Sequence, residues 1–122
     1  MERLWLGLGA AFALTGVAAG AFGAHSLRNI LDAEALQVFE TGVRYQLYHA
    51  LALVALAALV PRLSGGPGQW SGWLFVAGVL IFSGSLYLLA LTGVRFLGAI
   101  TPVGGLCFLA GWALLLYHAL AR

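Results

Sequence analysis

Charge is what this chain has least of. Only 8% of its 122 residues are charged and lysine is absent, where an ordinary soluble protein carries about 25% charged residues. So few charges cannot keep a chain of this size in water, which excludes a soluble globular protein. The six cations are all arginine and stand singly, at 3, 28, 44, 62, 95 and 122, so the basic stripe that nucleic acid requires is missing. The pI near 9.1 reflects four acids against those six arginines and nothing more. Cys107, the single cysteine, can form no intrachain disulfide and reads as a small packing residue in an apolar run. No HxxE or CxxC spacing occurs, so neither a metal nor a cofactor is expected.

What fills the chain instead is grease: 62% of the residues are hydrophobic and the mean hydropathy is +0.98. These values indicate an integral membrane protein. The length suits one domain over 1–122, an all-α four-transmembrane-helix bundle, and leaves no room for a soluble catalytic domain. Spans are expected at about 4–24, 41–60, 70–91 and 96–120. The first resembles a signal peptide in its small residues Ala18, Ala19, Gly20 and Ala21, but its apolar run is longer than a signal core, so a retained span is expected. Between Ser26 and Phe39 the chain turns polar, and Asp32 can cap an amphipathic interfacial helix that enters the membrane near Glu40. Pro61, Ser64, Gly65, Gly66 and Pro67 mark a turn, and Trp70 and Trp73 suit an interfacial belt. Pro102 fits either a proline-initiated last helix or an unwound entry over 98–105.

The second span carries the chemistry. Its unbroken apolar run, Ala50 to Val60, is too short for a membrane that needs about 20 residues, so the span must draw on the polar stretch before it. On a helical wheel Gln37, Glu40, Thr41, Arg44 and Tyr48 share an arc of roughly 100°, with Tyr45 and His49 beside it. Phe39, Val43, Leu47 and Ala50 face the other way. Ionisable groups at membrane depth are costly and by default mark a site. Glu40 precedes Arg44 by one helical turn, the favourable order for an ion pair. The candidate cluster is therefore Glu40, Thr41, Arg44, Tyr45, Tyr48 and His49, with His25 at the same membrane face and His118 at the opposite one. It reads first as an interhelical polar lock, and alternatively as a proton or solute path.

Glycine supplies the second signal. Gly9, Ala13, Gly16, Gly20 and Gly23 recur at three- and four-residue steps and form one stripe on the first span, open to a helix of the same chain or of another protomer. Gly104, Cys107 and Gly111 form a similar row on the last span. Ser83, Ser85 and Tyr87 offer hydroxyls for interhelical bonds. The tetrapeptide Thr-Gly-Val-Arg occurs at 41–44 and again at 92–95, without wider similarity around it.

Three stretches form a recognisable pattern: Gly20-Ala21-Phe22-Gly23-Ala24-His25; Thr41-Gly42 with Tyr45-Gln46-Leu47-Tyr48-His49-Ala50-Leu51-Ala52; and Gly84-Ser85-Leu86-Tyr87 continuing to Gly98-Ala99-Ile100-Thr101-Pro102-Val103-Gly104-Gly105. In these, over nearly its whole length, the chain resembles the YgdD/YwdK-like family of small four-helix membrane proteins, which has a mitochondrial relative in animals. The resemblance implies a fold and a membrane location but no catalytic residues.

The expectation is thus a multi-pass, non-enzymatic protein of a bacterial inner membrane, acting as a homo-oligomer or as an accessory subunit of a membrane complex, with a channel or transporter as the alternative. Even span number places both termini on one side. Arginines tie at three per face, and discounting Arg44 as membrane-embedded tilts both termini towards the cytoplasm.

Overall fold

A lipid-embedded backbone must satisfy its own hydrogen bonds, which only helices and closed barrels can do. The computed structural model describes residues 2–62 and 66–121, and among these it is helical almost throughout. Helix α1 spans Glu2–His25, and a short 3-10 turn, Leu27–Asn29, leads to α2 at Ala33–Leu59. The third span is composite: α3 (Gly66–Gly78), a π-helical segment (Val79–Ser83) and α4 (Gly84–Thr92). Helix α5 spans Leu97–Leu120. All four spans are long and apolar enough to cross a membrane. Ser64 and Gly65 of the expected turn, and Arg122, lie outside the described residues.

Local chemistry sets the boundaries. Asp32 caps α2, accepting from the Ala35 N–H at 2.7 Å, and the capped segment runs without a break into the second span. Gly93 ends α4 at φ 72°, a left-handed conformation that favours glycine. Pro102 lies inside α5, which starts at Leu97. Neither expectation for this proline holds: α5 opens with i→i−3 bonds from Leu97, Gly98 and Ala99, placing the proline after the first turn of an intact helix. The repeated tetrapeptide takes two structures, helix interior at 41–44 and the α4–α5 turn at 92–95, so it marks no duplicated hairpin.

Helix α1 packs along α2 and α3 along α5, with the second half of the third span between α2 and α5. The glycine stripe meets α2 of the same chain. A Cβ on Gly9 would stand 2.8 Å from the Ala50 carbonyl oxygen; Gly16 faces Leu47, Gly20 faces Val43 and Gly23 faces Phe39. Ala13 on the same stripe is half-buried. On α5, Gly104 meets the backbone of Phe82 and Gly111 the ring of Phe75. These close approaches leave a core around Trp5, Leu53, Leu56, Phe75 and Phe108, and a second around Leu27, Phe39, Val43 and Ala90. Large apolar side chains such as Leu14, Leu106 and Leu116 point outward, as lipid requires.

Candidate functional site

Helix α2 is polar on two faces. The inner one holds Gln46 and His49, 5% and 4% exposed. The outer one holds Glu40, Arg44 and Tyr48, all exposed, with Thr41 half-buried at its edge.

Each inner residue ties α2 to its neighbours. The Gln46 amide donates to the Phe12 carbonyl at 2.9 Å and to the Thr15 hydroxyl at 2.8 Å, binding α1. Its carbonyl accepts from the Tyr87 hydroxyl at 2.5 Å, binding α4. One residue of the π segment adds to this: Ser83 donates to the Gly42 carbonyl at 2.7 Å. Such segments aim a side chain away from its α-helical direction, and here the hydroxyl reaches the close approach at Gly42. His49 reaches α5, where Trp112 donates its indole N–H to Nε2 at 3.0 Å. The other ring nitrogen, Nδ1, lies 2.8 Å from the Tyr45 carbonyl. Indole nitrogen can only donate and a carbonyl can only accept, so Nδ1 carries the proton and His49 is neutral. Its ring stacks on Phe108 at 3.7 Å and an interplanar angle of 7°. Two further bonds join the third span to α5, from Ser71 to the Gly111 carbonyl and between Ser85 and Thr101.

The outer face is arranged by depth. Helix α2 has 27 residues, about 40 Å at 1.5 Å per residue, which exceeds a hydrocarbon core of about 30 Å. Measured back from the turn at Val60–Arg62, the opposite boundary falls near Glu40 and leaves Arg44 one turn inside. The Arg44 guanidinium folds back towards that boundary and donates to the Thr41 hydroxyl at 3.2 Å. The ion pair expected with Glu40 is therefore corrected: among the described residues the guanidinium is bonded to Thr41. Side chains lean towards the helix N-terminus, which brings Arg44 over Thr41.

Tyr45 sits between the two faces, 38% exposed, with its ring 4.8 Å from Phe82 and 5.6 Å from Tyr48. It borders an apolar groove of about 530 Å³ between α2 and α5, floored by His49, Phe82, Phe108 and Trp112. His25 is exposed at the end of α1. The expected cluster thus divides. Thr41 and Arg44 are brought together and Tyr45 packs with Tyr48, but His49 belongs to the inner network.

The matching family description is "Protein of unknown function (DUF423)", over residues 19–105. The chain belongs to the DUF423 family. It is 47% identical over 118 residues to "UPF0382 membrane protein YwdK" of Bacillus subtilis, covering 96% of each chain. It is 47% identical to "UPF0382 membrane protein SH2409" of Staphylococcus haemolyticus over 93% of each chain. To "UPF0382 inner membrane protein YgdD" of Escherichia coli K12 it is 45% identical, over 85% of this chain and 79% of that protein. No solved structure matches. With four spans and relatives so named, this DUF423 member is an integral membrane protein of uncharacterised function.

Among the residues that sequence reasoning missed in this DUF423 chain, with Thr15, Ser71 and Trp112, is Gln46. Its signal was positional: it shares the wheel face of Phe39, Val43 and Ala50, which is the face turned to the bundle.

Proposed function

We propose that this chain is a non-enzymatic membrane association protein, whose α2 outer face docks a further transmembrane segment as part of a homo-oligomer or larger complex. One observation carries the reading: Glu40 and Arg44 are exposed on the outside of the bundle, at and just inside the membrane boundary, while the inner polar groups bond across the helices. Polar groups facing lipid are costly, and a docked helix lowers that cost. Placement follows the same logic. Arg44 is a span residue, so Arg3, Arg62 and Arg122 outnumber Arg28 and Arg95, and the positive-inside rule favours cytoplasmic termini. The name of the Escherichia coli relative supports an inner membrane.

Native mass spectrometry from lipid, paired with crosslinking in the membrane, tests the association. Complexes containing this chain are expected. A strict monomer that captures no partner would reject the reading.

A further inference from the structure

We infer that the partner on the α2 outer face is a second copy of this chain, related by a two-fold axis along the membrane normal, with Glu40 of each copy paired to Arg44 of the other. The inference rests on the association reading and names its partner.

Charge gives the first argument. Beyond its first turn, α2 carries one acid and one base, Glu40 and Arg44, both exposed. A two-fold interface brings the same patch together twice, so that residue i meets j and j meets i. A face with one charge of each sign is complementary to itself under that operation, and neither charge is left over.

Depth gives the second. Two copies inserted in the same direction place equivalent residues at equal depth, so Glu40 and Arg44 of opposing α2 helices would stand one turn out of level if the arginine were extended. The bond from Arg44 to Thr41 removes most of that offset by drawing the guanidinium back along the helix. Thr41 is one residue from Glu40, about 1.5 Å along the axis. The guanidinium is therefore held at the level where the other copy's carboxylate arrives. One bond to Thr41 also leaves donors of its five N–H groups for that carboxylate.

Spacing gives the third. Below the charges the exposed stripe continues through Tyr48, Leu51, Ala55 and Ala58 at three- and four-residue steps. That spacing matches parallel helices crossing near 20°, and the two alanines allow close approach at the deep end. Apolar contact below and charge pairing above would then form one continuous seam.

The full chain, labelled and reconstituted in phosphatidylcholine vesicles, is counted by single-molecule photobleaching over a range of protein densities. Wild type is expected to dimerise. Glu40→Arg or Arg44→Glu should each weaken the dimer by about tenfold or more, on the scale of a strong interhelical polar pair. The double exchange, Glu40→Arg with Arg44→Glu, should recover most of that loss because it restores both cross pairs. If a reversed charge prevents folding, judged by helical circular dichroism, Glu40→Gln and Arg44→Gln serve instead and should weaken dimerisation in the same direction. Single variants that dimerise like wild type, or a double exchange no better than the singles, would overturn the pairing. A monomeric wild type whose Arg44 position crosslinks to a different protein in native membranes would overturn the second copy while leaving association standing. A monomer that crosslinks only to lipid would reject both.

Discussion

Gln46 allows the inner network to be tested quantitatively. Replacing it with leucine keeps the volume and removes three interhelical bonds, to Phe12, Thr15 and Tyr87. Interhelical bonds in membranes average about 0.6 kcal/mol each, giving about 2 kcal/mol for the three. The Tyr87 hydroxyl also loses its acceptor between α2 and α4, and an unsatisfied buried donor costs about 1–3 kcal/mol. Gln46→Leu should therefore destabilise the bundle by about 3–5 kcal/mol. Tyr87→Phe removes a single bond and should cost about 1 kcal/mol. In the double variant the stranded hydroxyl is gone and the shared bond is lost only once, so its cost should fall short of the sum by about 2–4 kcal/mol. Reversible unfolding in mixed micelles, followed by tryptophan fluorescence, measures all three. Strict additivity, or a Gln46→Leu protein as stable as wild type, would refute the account of Gln46 as a hub.

Other substitutions probe the remaining contacts. Gly9→Val places a side chain against the Ala50 backbone and should cost about 1–3 kcal/mol by pushing α1 from α2, whereas Gly7→Ala, with nothing within 4 Å, should not lower the unfolding midpoint. Trp112→Phe keeps an aromatic ring but removes the donor to His49, so stability should drop by about 1 kcal/mol and the Nε2 nitrogen resonance of His49 should shift. Asp32→Ala removes the α2 cap, and amide exchange at Ala35 should accelerate, consistent with a loss of about 1 kcal/mol.

Span number, the capped start of α2 and the packing stripe on α1 were legible because each depends on local composition: apolar length, an aspartate before a helix, small residues at helical spacing. The inside and outside of α2 were not. In a soluble helix the polar side is the exposed side, but lipid is as apolar as a core, so hydrophobic periodicity loses its reference direction. Both faces of α2 mix polar and apolar groups, Gln46 and His49 on one, Arg44 and Tyr48 on the other, and only the positions of α1 and α5 decide which is buried. The wheel grouped His49 with the wrong set for this reason. The π segment at Val79–Ser83 was equally unreadable, since it has no proline to announce it and its register is set by contacts with α2 and α5.

The two-faced character of α2 is tested most directly by disulfide crosslinking in native membranes, with Cys107→Ser as background. Single cysteines replace Tyr48, Leu51 or Ala55 on the outer face and Val43, Ala50 or Leu53 on the inner one. The outer positions are predicted to give crosslinked dimers and the inner ones to remain uncrosslinked. Dimers from the inner positions, or none from the outer ones, would contradict the account.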